Sequence, residues 1–332
     1  MRTPSALLFL ITIMFLTFSG KAQVFIPCLE LRDAINAQVP GLVDESGNLD
    51  VSDSGILEID TLHLNITSFS SVADLTGIDQ LSALTWLLVS IGDAATADTL
   101  RIPDLPGVLE QLRILGSNEV IELGPLPPEM QYLYVDQMSP GVGTGGILQI
   151  ESFPDHLEQV HLVDLVEVAW NDTARVGVFI FQHQLSGGLT DIILPSISAS
   201  STTIDLYCAS LDMSNVETRQ LFMGGFLAMN EITWPNQIEF LYCNAVQFPI
   251  SSGWPDLLDT LVVDSPMECM PFLPNSLSHL YLGIWWEGRC MPNWPTSLPH
   301  YSLAGAIITE EQAIYCSVLN STCPGSYPGI AG

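Results

Sequence analysis

One short segment repeats along the chain, and its clearest copy is Leu126-Pro127-Pro128-Glu129-Met130-Gln131-Tyr132-Leu133-Tyr134-Val135. Counted from Pro127, apolar residues stand at positions +3, +6 and +8. Positions +6 and +8 alternate with more polar ones, as the inward side chains of a short β-strand do. Proline fixes φ and has no N–H, so it suits the turn that leads into the strand rather than the strand itself.

The same pattern returns at regular distances along the sequence. Onsets at 56, 81, 106, 127 and 154 are 21 to 27 residues apart, and onsets at 235, 255, 274 and 295 are 19 to 21 apart. Another copy is predicted to open at Ser200, which aligns Leu206-Tyr207-Cys208 with Leu241-Tyr242-Cys243. Residues 165–199 are less regular, and we predict strands at 176–181 and 192–194. A single repeat cannot bury its apolar side, whereas repeats stacked about 4.8 Å apart form a parallel sheet over one core.

Several segments resemble a known group of proteins. Two late copies, at 269–277 and 290–298, share the pattern C-x-P-x-L-P-x-S-L. Together with the segments 23–27, 44–50, 74–85 and 315–325, they resemble secreted leucine-rich-repeat proteins of Bacteroidota. The resemblance implies a repeat solenoid of the α/β leucine-rich-repeat type. It would have a parallel β-sheet on its concave face and a mostly irregular or short-helical convex side.

The N-terminus has the features of a secretory signal peptide. Arg2 precedes an apolar run over 6–18, and Gly20-Lys21-Ala22 offers small residues for cleavage. The run is too short to span a bilayer of about 30 Å as a helix. We therefore predict cleavage after Ala22, an N-terminal cap over 23–55, a repeat array over 56–305, and a C-terminal cap or the start of a following module over 306–332. The predicted location is secreted or cell-surface.

The charge balance argues against several classes of function. The chain has 37 Asp and Glu against 8 Lys and Arg, a formal charge of −29. Loss of Arg2 and Lys21 with the signal peptide would lower it to −31 and leave no lysine. Such a chain lacks the basic face that nucleic acids and anionic lipids require. It also has few cations to hold an acidic polysaccharide, which weakens the rival interpretation of a polysaccharide-active β-helix enzyme.

Seven cysteines in an oxidising compartment leave at least one unpaired within the chain. We expect Cys208 and Cys243 to be small buried core residues, since their neighbours in the pattern are Leu or Val. Cys316 and Cys323 are the preferred disulfide candidates, in the terminal cap. Cys269 and Cys290 could be stacked thiols or a bridge, and Cys28 has no evident partner. No metal site is predicted, because the alternating Asp44, Ser46, Asn48 and Asp50 fit a loop of Asx turns better than a calcium loop.

The outward side chains of the sheet carry the sharpest functional hypothesis. Positions +5 and +7 hold many aromatic residues, interleaved with acidic ones. The candidate binding residues are Tyr132, Tyr134, His161, Tyr207, Phe240, Tyr242, His279 and Tyr281. Aromatic side chains are enriched in recognition surfaces because they bury a large area with few rotamers to freeze. The competing interpretation is a cross-strand ladder that only stabilises the sheet.

The sequence thus predicts a non-enzymatic module without cofactor that recognises an extracellular protein or glycan through its sheet face. No catalytic residues are predicted, since no nucleophile elbow is present and the histidines are scattered. The first alternative is a structural or adhesin spacer segment of a larger surface protein.

Overall fold

The computed structural model describes most of the chain between residues 22 and 303. The described residues are 22–67, 72–92, 98–116, 120–137, 146–183, 191–206, 208, 210–225, 227–228, 231–244, 246–247, 253–264, 272–283, 298 and 300–303. The predicted signal peptide, apart from Ala22, lies outside them. So do Tyr207, the predicted C-terminal segment 306–332, and the cysteines at 269, 290, 316 and 323.

The N-terminal cap packs an antiparallel pair of short strands and one helix against the first coil of the solenoid. Strand β1 (Gln23–Phe25) pairs antiparallel with β2 (Asn48–Asp50), and α1 (Leu29–Gln38) lies between them in sequence. The helix buries Leu31 and Ile35, which join the main core. A 3-10 helix at Ser54–Glu58 leads into the repeats. Among the described residues, no helix combines the length and apolar character that crossing a membrane requires.

Among the described residues, twelve parallel strands form the main sheet, which we call the long sheet. Its strands are β3 (Thr61–Ile66), β5 (Trp86–Ile91), β7 (Gln111–Gly116), β9 (Tyr132–Gln137), β11 (Leu157–Val163), β13 (Ala174–His183), β15 (Ile197–Leu206), β17 (Val216–Gly224), β20 (Phe240–Asn244), β22 (Thr260–Asp264), β23 (His279–Leu282) and β24 (His300–Leu303). Each strand pairs with the next one in this order. The chain is therefore a parallel β-solenoid.

A second parallel sheet alternates with the first along the chain. It contains β4 (Val72–Asp74), β6 (Thr99–Ile102), β8 (Val120–Leu123), β10 (Gly146–Ile150) and β12 (Leu165–Trp170). Later coils add a sheet of β14 (Asp191–Ile193), β16 (Ser210–Asp212) and β19 (Glu231–Thr233), and a pair of β18 (Leu227–Ala228) and β21 (Val246–Gln247).

The side away from the long sheet is thus more regular than predicted. We expected it to be mostly irregular or short-helical, and this was wrong for the coils that carry the second sheet. The physical reason is visible in the strands themselves. Val120-Ile121-Glu122-Leu123 alternates and buries Ile121 and Leu123, so it forms a half-buried strand. The only helical segment beyond the cap among the described residues is a 3-10 turn at Ile78–Gln80.

Turns of one kind set the inward register of the long sheet. The N–H of the +3 residue donates to the carbonyl of the onset residue, as Leu109 does to Pro106 at 3.0 Å and Leu277 to Pro274 at 3.2 Å. Leu84 makes the same bond to Leu81 without a proline. The +3, +6 and +8 residues are then buried in one continuous core. The predicted burial of the +3, +6 and +8 residues is confirmed at these onsets.

The coils that contain β13, β15 and β17 do not follow the spacing of the repeat phrase. Strands β13 and β14 confirm the two strands predicted at 176–181 and 192–194. The repeat onset at Ser200 was wrong, because Ser200 lies inside β15 and Thr203 points outward instead of into the core. Strands β13, β15 and β17 run through nine or ten residues, whereas most strands of the long sheet have four to six.

Candidate functional site

The outward face of the long sheet is organised in columns, because its parallel strands pair one residue to one. The leading column has Tyr132 next to Gln159, and Phe240 next to Thr260 and then His279. The central column runs through His63, Leu88, Arg113, Tyr134, His161, Ile180, Thr203, Phe222, Tyr242, Val262 and Tyr281. A trailing column follows two residues later and holds Asp136, Asp205, Asn244 and Asp264.

The structure places seven of the eight predicted binding residues in these columns. Tyr132, Phe240 and His279 belong to the leading column, and Tyr134, His161, Tyr242 and Tyr281 to the central one. Tyr207 lies outside the described residues. Its predicted equivalence to Tyr242 was wrong, since Tyr242 pairs with Phe222, and Phe222 pairs with Thr203.

The first aromatic cluster (Arg113, Tyr132, Tyr134 and His161) is held together by its own polar partners. The Tyr132 hydroxyl donates to Glu158 at 2.6 Å, and the Tyr134 hydroxyl donates to Asp136 at 3.0 Å. The Arg113 guanidinium lies 4.9 Å from the centre of the Tyr134 ring, and the His161 ring meets that ring edge-on at 4.8 Å. This cluster therefore has the character of a cross-strand ladder.

The tyrosines of this cluster are held in their neutral form. The hydrogen bond to Glu158 raises the pKa of Tyr132, because ionisation would place two negative charges together. Burial raises the pKa of Tyr134, and its bond to Asp136 adds to the effect while Arg113 opposes it. Both hydroxyls remain hydrogen-bond donors at neutral pH.

The second aromatic cluster consists of Phe222, Phe240, Tyr242 and Tyr281. The Phe222 ring centre lies 5.5 Å from that of Phe240 and 6.2 Å from that of Tyr242, both in tilted arrangements. Tyr281 is 41% exposed, and Phe222, Phe240 and Tyr242 are half-buried. Within the described part of the chain, the hydroxyls of Tyr242 and Tyr281 have no hydrogen-bond partner. Both clusters present an exposed ring, Tyr132 in the first and Tyr281 in the second, but the hydroxyl of Tyr132 is bonded to Glu158.

Carboxylates border the second cluster on both sides. Glu239 and Asp259 stand at the residue before the leading column, and Asp205 and Asp264 stand in the trailing column. Asp259 accepts a hydrogen bond from Ser278, which lowers its pKa, with smaller contributions from Thr260 and His279. Asp259 also lies 3.7 Å from the His279 ring nitrogen. These groups give the face a negative rim at neutral pH.

Phe222 was not among the predicted binding residues. Its ring lies close to those of Phe240 and Tyr242, two of the three predicted residues of the second cluster. The signal was the alternation Gln220-Leu221-Phe222-Met223, in which Leu221 and Met223 are buried. No proline opens that strand, so the repeat phrase does not identify it. Val178 and Ile180 of β13 were not predicted as outward residues either. Together with Ser201 and Thr203 of β15 they separate the two clusters.

An open cleft of about 500 Å³ lies beside the face, where the three longest strands begin. Arg175 and Arg219 line it together with His156, Asp155 and Glu217. The Arg219 guanidinium lies 3.8 Å from the Glu239 carboxylate, and both side chains are exposed to solvent. The cleft is therefore polar and of mixed charge.

The described cysteines are core residues. Cys28, Cys208 and Cys243 are buried thiols, as predicted for the last two. Burial raises the pKa of Cys28 to about 11 and that of Cys208 to about 12, and it raises the pKa of Cys243 as well. All three are therefore neutral and poorly nucleophilic at physiological pH.

The residues of the predicted Asx loop make local bonds. Asp44 accepts the backbone N–H of Asn48 at 2.8 Å, which lowers its pKa, and Asp50 accepts the N–H of Ser52 at 3.1 Å. Across the described residues, no group of three or more His, Cys, Asp or Glu side chains converges as a metal site would require.

No protein-family model, curated protein or solved structure matches this chain.

Proposed function

We propose that this chain is a secreted or cell-surface binding module of the leucine-rich-repeat kind, which recognises a protein or glycan through the outward face of the long sheet. It would act without a cofactor and without catalysis. The observation that supports this most is the second aromatic cluster, whose rings stand partly exposed on a rigid sheet. Preordered aromatic side chains lose little entropy on binding, so they make effective contact surfaces.

The test is to replace Phe222, Tyr242 and Tyr281 together by alanine and to probe printed arrays of glycans and secreted proteins. If the cluster is the binding surface, signals seen with the wild-type chain fall by at least about tenfold, since each lost aromatic contact costs on the order of 1 kcal/mol or more. The matched control is Phe25→Ala, which removes a 54% exposed ring from the N-terminal cap. Circular dichroism and thermal unfolding check that each variant is folded.

The same experiment addresses the alternative of a structural or adhesin spacer segment. A spacer has no ligand of its own, so its array signals would be absent or would not depend on the three rings. In that case the cluster is a ladder that stabilises the sheet.

The polysaccharide-active β-helix remains a second alternative, and one observation favours it. The cleft at the start of the long strands brings Arg175 and Arg219 together with carboxylates that could serve in acid–base chemistry. Release of reducing ends from acidic polysaccharides by the wild-type chain, abolished by Arg175→Gln, would favour this enzyme over the binding module.

A further inference from the structure

The second aromatic cluster forms a track that crosses four neighbouring strands, β17, β20, β22 and β23. Its central column reads Phe222, Tyr242, Val262 and Tyr281 in direct register. Since parallel strands lie about 4.8 Å apart, the track is about 14 Å long. An extended peptide of about five residues covers that distance at about 3.3 Å per residue.

The track is bordered by negative charge at its middle strands, β20 and β22, and at Asp205 of the neighbouring strand β15. At the same border positions β17 contributes Arg219 and Gly224, and β23 contributes Ser278. Glu239 and Asp259 line one side, and Asp205 and Asp264 line the other. Arg219 is the only arginine at this border among the described residues, and it lies near Glu239. A ligand that follows the track therefore meets aromatic faces in the middle and carboxylates at both sides.

The chain itself shows which chemistry such a track accommodates. In the first aromatic cluster, on the same central column, the Arg113 guanidinium lies 4.9 Å from the centre of the Tyr134 ring. Asp136 accepts a hydrogen bond from the hydroxyl of that ring. A guanidinium within about 6 Å of a ring centre is attracted by its π face. In the second cluster the rings and carboxylates recur, but none of its described strands supplies an arginine from the central column.

Charge also disfavours several competing occupants. A second copy of the chain would bring another formal charge of −29 against this rim, so long-range repulsion opposes self-association here. An anionic glycan or an acidic peptide meets the same repulsion. A neutral glycan would stack on the rings and could donate hydroxyl hydrogen bonds to the carboxylates, but it would gain no charge attraction from them.

We infer that the partner of this face is a cationic polypeptide segment. It would lie extended along the track and place arginine or lysine side chains over Tyr242 and Tyr281, between the two carboxylate borders. This inference rests on the proposed function and names its ligand class.

The experiment measures binding of a labelled peptide of about eight alternating arginine and glycine residues, which spans about 26 Å when extended. Fluorescence anisotropy with the full chain is recorded at low salt. The comparison peptide replaces arginine by citrulline, which keeps the shape and removes the charge. We expect the arginine peptide to bind at least about tenfold more tightly, because the carboxylates and rings both act on its charge.

Two pairs of variants test where the peptide sits. Tyr242→Leu with Tyr281→Leu keeps apolar side chains but removes the π faces, and about a fivefold to tenfold loss of affinity is expected. Asp205→Asn with Asp259→Asn removes two border charges and should weaken binding by about tenfold. Phe25→Leu and Glu167→Gln, an exposed residue of β12, are the matched controls and should change affinity by less than about twofold.

The outcomes separate the two proposals. Equal weakening by Glu167→Gln and by the border variants means unspecific attraction to an acidic protein, and it overturns the inference. Equal affinity for the arginine and citrulline peptides overturns it too. If array binding to a neutral or anionic probe depends on Phe222, Tyr242 and Tyr281 while the arginine peptide does not bind, the ligand class is wrong and the proposed function stands. If neither the arrays nor the peptide depends on the cluster, both fail.

Discussion

At the scale of single residues, Gly124 occupies a position where a side chain cannot fit. It follows β8 and donates its N–H to the Ile102 carbonyl at 2.8 Å. A Cβ atom built on Gly124 would overlap the carbonyl oxygen of Pro103. The close approach of the two backbones is what lets neighbouring coils turn together at this corner.

Gly124→Ala should therefore lower the free energy of unfolding by about 2 kcal/mol or more, since backbone atoms on both sides must move apart. Gly107→Ala is the control, because nothing lies within 4 Å of a Cβ at that turn. Its effect should stay within about 0.5 kcal/mol. Urea unfolding of both variants measures the difference, and equal stabilities would contradict the packing described at Gly124.

Residue identities predicted the inward register well and the outward one less well. The onset turns at Leu81, Pro106 and Pro274 follow from a simple rule of apolar spacing, and burial enforces that rule. Outward residues carry no such constraint, so their alignment depends on knowing where each strand begins. Tyr207 is an example. The local match of Leu206-Tyr207-Cys208 to Leu241-Tyr242-Cys243 predicted that Tyr207 shares a column with Tyr242. That column instead holds Thr203, because Ser200 lies inside the ten-residue strand β15.

At the scale of secondary-structure elements, the second sheet is the main departure from expectation. Its strands carry the alternation that predicts β-structure, as in Thr99-Leu100-Arg101-Ile102, where Leu100 and Ile102 are buried. The segments lie between the repeat onsets and vary in length. The apolar spacing of the repeat phrase alone therefore does not predict the strands of the second sheet.

Hydrogen exchange should distinguish the second sheet from irregular structure. The amides of β8 lie between β6 and β10, and both neighbours pair with it in parallel. We expect these amides to exchange within about tenfold of those of β7 in the long sheet, because both strands are ordered on two sides. Residues 107 and 108, in an exposed turn, should exchange far faster. Exchange of β8 at the rate of that turn would contradict the second sheet.

At the scale of the whole molecule, length and composition gave a useful but incomplete expectation. A chain of 332 residues could form two compact domains, and only the repeat pattern argued for a single solenoid. The structure has one core cluster that runs from the N-terminal cap to Leu298. No property of the composition fixes which rings meet on the surface, since that depends on the register of every strand.

Net charge should limit the stability of the solenoid at low ionic strength. With a formal charge of −29 in a rod of stacked strands, acidic groups repel one another over distances that salt shortens to about 10 Å at 0.1 M. The thermal midpoint should rise by a few degrees, about 3 to 6 °C, between about 20 mM and 200 mM sodium chloride. Near the sequence pI of 4.1 the same salt step should have little effect. An equal rise at both pH values would show that self-repulsion is not the cause.

The one-to-one pairing of neighbouring strands has a consequence for how such a gene can change. Duplication or loss of one coil adds or removes one residue in every column and leaves the others aligned. The length of the strands fixes the width of the outward face, whereas the number of coils sets the length of that face along the solenoid. Selection could therefore match the length of this surface to a longer or shorter ligand without redesigning the core.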